Sequence, residues 1–258
     1  MMDPFPTYVD LAENPTTGQG HHWMFEYVEG VPLRFTLQSD GRLAFAGKQR
    51  RYEDSSEPPS VAPAIETVRS GFRRDAFREA VAEPDSVTFY GIATCQHRIE
   101  YDWDELPAFL GYDVRVPGRG GLLAPERAHA SFDRLGLAPA PPVDREIRAD
   151  AIDPGREQLP DSDWADRPVA GLVFADKHGW RGKLLDPDRP PGPEASFDSP
   201  ASAAEALLSG DLPASGNVEA TLRQLARRYR ATLADANVDP TSSAFRSAVA
   251  EHLQRRSK

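Results

Sequence analysis

The sequence predicts an α+β fold, with antiparallel strands in the longer first part of the chain and helices in the last part. Apolar and polar residues alternate on both sides of an Asp40-Gly41 pair, which predicts strands. A proline-rich segment separates this part from a C-terminal part in which apolar residues recur at helical spacing. We therefore expect an irregular lead-in at 1–20, a sheet-containing domain at 21–186, a linker at 187–200 and a helical appendage at 201–258.

A β-hairpin is predicted around residues 39–42. Its apolar positions are Leu33, Phe35 and Leu37 before the turn, and Leu43 and Phe45 after it. Period-two alternation around an Asp-Gly pair is typical of two antiparallel strands joined by a tight turn.

The remaining elements follow from periodicity and from the positions of proline and glycine. A proline just inside the start and a glycine just past the end predict a helix from Pro125 to Leu135, which Gly136 terminates. The other predicted helices are 64–82 with an interruption near Gly71, 201–208, 218–236 and 242–256. The other predicted strands are 87–101, 108–116 and a pair that begins at Val169 and at Trp180.

Composition excludes several classes of protein. No apolar run approaches the length of a membrane-spanning helix, and the first ten residues lack the basic and apolar regions of a signal peptide. Cys95 is the single cysteine, which excludes an intrachain disulfide and a cysteine-based zinc site. The net charge of -10 disfavours nonspecific attraction to nucleic-acid phosphates, although a local basic patch could still bind them. We expect a cytoplasmic protein without contact to a membrane.

Six short segments follow one another on the predicted elements: Glu26-Tyr27-Val28-Glu29-Gly30 before the hairpin, Gly47-Lys48-Gln49-Arg50 after it, Phe89-Tyr90-Gly91-Ile92, Tyr112-Asp113-Val114, Ala170-Gly171-Leu172-Val173-Phe174 and Arg181-Gly182-Lys183. In their order and on these elements, they resemble the nucleotidyltransferase motifs of the ATP-dependent RNA ligases. Each segment alone is common, but the full set in register is hard to obtain by chance. The resemblance covers about 22–186 and implies a nucleotidyltransferase fold, an ATP-grasp-like adenylation domain of antiparallel sheets flanked by helices.

Three positions of this chain differ in chemical type from the family that it resembles. In that family a lysine attacks the α-phosphate of ATP, and two glutamates hold the ribose and a metal ion. Tyr27 stands at the lysine position, and Ile92 and Ala170 stand at the glutamate positions. An isoleucine or an alanine cannot coordinate a hard cation, which requires oxygen ligands. The sequence is therefore interpreted as a divergent member without the nucleophilic lysine, with ATP as the implied cofactor and with weakened Mg²⁺ binding.

The rest of the implied site could still accept a nucleotide or a phosphate. Its expected residues are Glu29, Gly30, Arg50, Gly91, Arg181 and Lys183, with no metal ligand and no assigned catalytic residue. Tyr27 is either a substitute nucleophile or a packing tyrosine, and Lys48 is either a displaced nucleophile or a solvated lysine. Arg181 and Lys183 share one face of a strand, so they either grip a phosphate or face solvent together. The chain has only four lysines in all: Lys48, Lys177, Lys183 and Lys258.

Three functions stay open at this stage. The first is a catalytically degenerate ligase-like protein that retains binding of a nucleotide or RNA, or that acts as partner to an active ligase or another protein. The second is an active RNA ligase with a rearranged nucleophile, and the third is a structural protein on a ligase scaffold. Arg223, Arg227 and Arg230 share a predicted helix face with Arg228 nearby, and this face either contacts RNA or is solvated.

Overall fold

The computed structural model describes residues 2–53, 57–117, 121–155, 158–209 and 217–256. Lys258 lies outside the described residues. The strands are β1 (Val9–Asp10), β2 (His21–Glu26), β3 (Gly30–Leu37), β4 (Leu43–Ala46), β5 (Arg51–Tyr52), β6 (Thr88–Thr94), β7 (Phe109–Val116), β8 (Gly121–Leu122), β9 (Pro142–Arg148), β10 (Gly171–Asp176) and β11 (Arg181–Leu185). The helices are α1 (Ala62–Gly71), α2 (Arg74–Ala80), α3 (Pro125–Arg134), α4 (Pro200–Leu208), α5 (Val218–Arg228), α6 (Arg230–Asp235) and α7 (Ser243–Arg256).

The strands form two sheets. One has the order β1-β11-β10-β2-β9 and the other has the order β5-β4-β3-β6-β7-β8. All neighbouring strands are antiparallel except β1 and β11, which pair in parallel. The predicted α+β fold with antiparallel sheets is therefore confirmed, with one short parallel pair added.

The largest apolar core lies between the six-stranded sheet and helices α1, α2 and α3. Alternate residues of β3 supply it, because successive side chains of a strand point to opposite faces. Phe35 stacks on Phe89 of β6 with a ring-centroid distance of 4.8 Å, and Phe72 meets both rings edge to face. The opposite face of the same sheet is turned toward a cleft whose far wall is the five-stranded sheet.

The hairpin of β3 and β4 has the geometry that the sequence indicates. Leu37 pairs with Leu43 at its closed end, and the Gln38 backbone N–H donates to the Arg42 carbonyl oxygen at 2.8 Å. Gly41 has a φ of +87°, a backbone conformation that residues other than glycine rarely adopt.

Two predicted boundaries are wrong. The strand that begins near 87 ends at Thr94 and not at Tyr101, because the buried Glu29 carboxylate accepts the backbone N–H groups of the residues at 98 and 99. The helix expected over 218–236 is divided into α5 and α6 at Tyr229. Residues 2–20 contain no helix and one two-residue strand, β1, which extends the five-stranded sheet, and Leu11 among them is fully buried.

The C-terminal helices have an apolar core of their own and also contact the sheet domain. Ala204, Leu225 and Phe245 are completely buried in this second core. The contact with the sheet domain runs through the segment that follows β6, where the Gln96 backbone N–H donates to the Arg227 carbonyl oxygen at 2.9 Å. Among the described residues, none of the helices combines the length and the apolar character that a membrane-spanning segment requires.

Candidate functional site

A cavity of about 400 Å³ opens between the two sheets. Both sheets and the N-terminal residues line it: Phe5, Pro6, Thr7, Tyr8, Tyr27, Val28, Gly30, Pro32, Lys48, Tyr90, Gly91, Ile92, Tyr112, Val173 and Lys183. The size lies within the range of pockets that hold small organic ligands, and such pockets combine an apolar lining with a few placed polar groups. The cavity therefore has the size and the lining of a small-molecule site.

Tyr27 occupies the wall of this cavity directly after β2. Its backbone N–H donates to the Gly171 carbonyl oxygen at 2.9 Å, which continues the pairing of β2 with β10 and fixes the side chain over the cleft. Burial raises the pKa of the Tyr27 phenol, and the Glu29 carboxylate raises this pKa further. The phenol is therefore protonated at neutral pH and is a poor nucleophile in this state.

Ile92 and Ala170 lie in the same apolar cluster but differ in access to the cavity. Ile92 is half-buried on β6, opposite Pro32 of β3, and its side chain lines the cavity. Ala170 is completely buried beside Val28 and is not a lining residue. Of the three positions at which the sequence departs from the family, Tyr27 and Ile92 thus share the cavity wall and Ala170 lies behind it.

Two glycines let the strands approach closely at the cavity floor. A Cβ atom at Gly91 would lie 2.3 Å from the Leu110 carbonyl oxygen, and one at Gly30 would lie 2.5 Å from the Ala93 carbonyl oxygen. Any side chain at these positions would push the strands apart.

Two lysines bring positive charge to the cavity. Lys183 of β11 lies 3.1 Å from the Asp10 carboxylate, and both side chains are partly exposed. Lys48 follows β4 at the exposed rim, and no ion pair joins it to any described residue. The ammonium group of Lys48 is thus available to a ligand, whereas that of Lys183 is shared with Asp10.

Arg181 does not take part in the cavity, contrary to the prediction that it binds a ligand beside Lys183. The two residues do share a strand face, but Arg181 is 2% exposed. Its guanidinium donates to the Asp113 carboxylate at 2.7 Å, and its remaining N–H groups donate to the carbonyl oxygens of residues 123, 176 and 180. A guanidinium with all its donors engaged has none left for a phosphate.

Glu29 and Arg50, which the sequence also assigns to ligand binding, lie outside the cavity lining. The Glu29 carboxylate accepts the backbone N–H groups of Arg98 at 2.7 Å and of Ile99 at 3.1 Å, so it holds the segment after β6 in place. Arg50 is exposed, and its guanidinium lies 5.9 Å from the centre of the Tyr52 ring. The structure thus places neither side chain at the cavity: Glu29 binds backbone N–H groups, and Arg50 lies near the Tyr52 ring.

The N-terminal segment, residues 3–8, contributes Phe5, Pro6, Thr7 and Tyr8 to the cavity, and no motif in the sequence indicates this. The Tyr8 hydroxyl donates to the Asp113 carboxylate at 2.6 Å, and the Phe5 ring lies 5.7 Å from the Tyr90 ring. The Arg34 guanidinium lies 5.0 Å from the centre of the Phe5 ring. Aromatic residues between prolines carry no periodic signal, so only their unusual density at 5–8 could have indicated a packed segment.

The donor set of the cavity does not fit a divalent cation. Of the described residues that line it, none is an aspartate or a glutamate. Nor do the described parts of the chain contain a group of three or more His, Cys, Asp or Glu side chains that could hold a metal ion. Mg²⁺ and Mn²⁺ prefer carboxylate and other oxygen ligands, which this lining supplies only as hydroxyl and carbonyl groups.

The structure is similar in fold to solved structures of RNA ligases, which have the nucleotidyltransferase fold. The resemblance that the sequence carries is thus confirmed for the fold. One solved structure with this fold is a Naegleria gruberi RNA ligase variant with AMP and Mn, which matches 70% of the chain with a TM-score of 0.52 and 14% identity. Another is an archaeal ATP-dependent RNA ligase, which matches 98% of the chain with a TM-score of 0.50 and 13% identity.

The likeness is one of structure, at low sequence identity. The chain spans 56% of the Naegleria ligase and 63% of the archaeal ligase. No family model matches the sequence, and no curated protein matches it. The likeness therefore shows a shared fold and does not by itself assign an activity to this chain.

Proposed function

We propose that this chain is an RNA-ligase-like protein that binds a nucleotide in the cleft between its sheets without forming a covalent adenylate. The observation that carries the proposal is Tyr27, a partly buried phenol on the wall of the cavity at the position that corresponds to the family's lysine. The cleft has the volume of a small-molecule site, and a phenol stands where the family that the sequence resembles has its reacting amine.

The chemistry of the cavity supports a nucleotide as the ligand. Aromatic and apolar side chains such as Tyr112 and Val173 offer flat, dry surfaces to a planar base. Lys48, which follows β4 of one sheet, and Lys183, on β11 of the other, line the same cavity and offer positive charge to a phosphate. A base with a phosphate at one end matches this combination.

The same cavity argues against adenylate transfer. Attack on the α-phosphate requires a deprotonated nucleophile, and the raised pKa of Tyr27 keeps its phenol neutral. Ile92 and Ala170 stand at the positions where the family that the sequence resembles has its two glutamates. The Ile92 side chain offers no oxygen ligand, and the buried Ala170 does not line the cavity. Binding can persist without these groups, whereas metal-assisted chemistry cannot.

The test uses the full chain with α-labelled ATP and magnesium, followed by denaturation and intact-mass analysis. We expect no covalent label, together with a rise in melting temperature at saturating nucleotide, because a ligand that binds only the native state stabilises it. Lys183→Gln should reduce this rise, and Lys177→Gln is the matched control, since Lys177 pairs with Glu146 outside the cavity. A label that survives denaturation would overturn the proposal.

A second candidate is an active RNA ligase in which Lys48 has become the nucleophile. The observation in its favour is that Lys48 lines the cavity and is unpaired among the described residues. In that case the label appears in the native chain and disappears in Lys48→Arg, which keeps the charge but not the nucleophile. Absence of both a label and a thermal shift with ATP, GTP or RNA would instead support a structural protein on a ligase scaffold.

The arginines of α5 and α6 do not supply a binding site for RNA. Arg227 and Arg228 are buried, and Arg223 pairs with Glu66 at 2.9 Å. Arg230 lies 3.4 Å from the His97 ring. These arginines therefore contact the sheet domain and do not form an exposed basic face for RNA.

A further inference from the structure

We infer that the cavity selects a nucleoside monophosphate, bound without a divalent cation, over a magnesium-bound nucleoside triphosphate. This inference rests on the proposed function and names the ligand class of that same site. It follows from the disagreement between the lining of the cavity and the metal-dependent chemistry of the fold.

The first argument is the absence of carboxylates from the described lining. A metal-bound triphosphate is held in part by protein carboxylates that coordinate the cation. The cavity places Ile92 where such a group would stand, and of the described residues that line it none is acidic. Asp10 is not one of the lining residues, and its carboxylate already pairs with the Lys183 ammonium group at 3.1 Å. A cation that arrives with a triphosphate therefore finds no charged ligand from the protein.

The second argument is the amount of positive charge. Two ammonium groups line the cavity among the described residues, and one of them is shared with Asp10. A phosphate monoester carries a charge of roughly −2 at neutral pH, and a triphosphate carries about twice as much. Because Asp10 offsets one of the two positive charges, the cavity neutralises part of the charge of a monoester but leaves a metal-free triphosphate with much more uncompensated charge in an apolar setting, which is unfavourable.

The remaining wall of the cavity is largely aromatic. Among the described residues, five aromatic side chains line it: Phe5, Tyr8, Tyr27, Tyr90 and Tyr112. Their rings favour the base and the sugar edge of a ligand but repel further phosphates, because a charged group loses hydration there without gaining a partner. Affinity should therefore come from the nucleoside and one phosphate.

The experiment is isothermal titration of the full chain with AMP, ADP and ATP, each in magnesium buffer and in EDTA. We expect AMP to bind at least about tenfold more tightly than magnesium-bound ATP, a difference of about 1.4 kcal/mol. The AMP affinity should change by less than about twofold between the two buffers, because no cation takes part in binding.

Restoring a carboxylate provides the sharper test. Ile92→Glu puts an acidic group on the cavity wall, so AMP should bind at least about tenfold more weakly in EDTA and should recover when Mg²⁺ or Mn²⁺ is added. Ile92→Gln is the matched control of nearly the same shape, and its AMP affinity should show no dependence on the metal ion.

The outcomes separate the inference from the function on which it rests. If magnesium-bound ATP binds more tightly than AMP and loses its affinity in EDTA, the inference is overturned and the proposed function stands. If no nucleotide binds in either buffer, the proposed function itself fails, and the inference fails with it.

Discussion

At the residue scale, one buried carboxylate joins three parts of the molecule. Asp113 of β7 is 1% exposed and accepts from the Tyr8 hydroxyl at 2.6 Å and from the Arg181 guanidinium at 2.7 Å. Tyr8 belongs to the N-terminal segment and Arg181 to the five-stranded sheet, so the carboxylate ties both to the six-stranded sheet. Burial and the Asp113 charge raise the pKa of the Tyr8 phenol, so this group donates and does not compete for the guanidinium.

Replacing Asp113 by asparagine should destabilise the fold strongly. The change leaves the Arg181 guanidinium buried without a counter-charge, and breaking a buried ion pair in this way costs about 3–5 kcal/mol. Equilibrium unfolding in urea measures the loss of unfolding free energy. Asp150→Asn is the matched control, because Asp150 forms an exposed pair with Arg148 and exposed pairs contribute little. Equal unfolding midpoints for Asp113→Asn and the native chain would contradict this account.

At the element scale, the hairpin of β3 and β4 was fully predictable from the sequence. Alternation and the Asp-Gly pair act over neighbouring residues, so a short window contains all the information that the turn needs. Strand β9 is different, because its residues are mostly exposed and charged and therefore show no alternation. It forms only because β2 offers it a partner edge. Likewise β1 has two residues and depends on β11, far away in the sequence.

The hairpin turn gives a prediction at this scale. Gly41 has a φ of +87°, so Gly41→Ala should lower the unfolding free energy by about 1 kcal/mol or more, because alanine is strained in that conformation. Gly192→Ala is the control, since that glycine is outside the positive-φ group and a Cβ atom there would lie no closer than 3.7 Å to another atom. Thermal or urea unfolding compares the two variants, and a loss of the same size in both would mean that the turn conformation is not the cause.

The candidate site shows the same division between local and distant information. The order of the motifs along the chain predicted the positions of Tyr27, Ile92 and Lys183, and the structure places all three at one cavity. Strand alternation shows that Arg181 shares a strand face with Lys183. It does not show that the Arg181 guanidinium pairs with the buried Asp113 carboxylate while Lys183 stays partly exposed to solvent. Burial of a charged side chain depends on the partner strand and on the N-terminal segment, neither of which the local pattern contains.

At the scale of the whole molecule, the C-terminal helices are held to the sheet domain by a buried arginine. Arg227 is 4% exposed, and its guanidinium donates to the Thr94 carbonyl oxygen at 2.9 Å, to the Thr94 hydroxyl at 2.7 Å and to the Leu106 carbonyl oxygen at 2.8 Å. It also lies 5.2 Å from the centre of the Trp103 ring. Burial lowers the pKa of Arg227 to about 10, which leaves it charged at neutral pH.

Because the helices have a separate apolar core, removing this contact should release them without unfolding them. Arg227→Met keeps much of the apolar stem but leaves buried oxygens of Thr94 and Leu106 without a donor, at a cost of about 1–3 kcal/mol for each unsatisfied group. We expect faster proteolysis within 187–200, with the helical circular dichroism retained. Arg223→Met is the control, since Arg223 forms an exposed pair with Glu66 and its loss should cost less than about 1 kcal/mol. Unchanged cleavage in Arg227→Met would show that the two apolar cores are joined by other contacts, and simultaneous loss of helical signal would show that they fold as one unit.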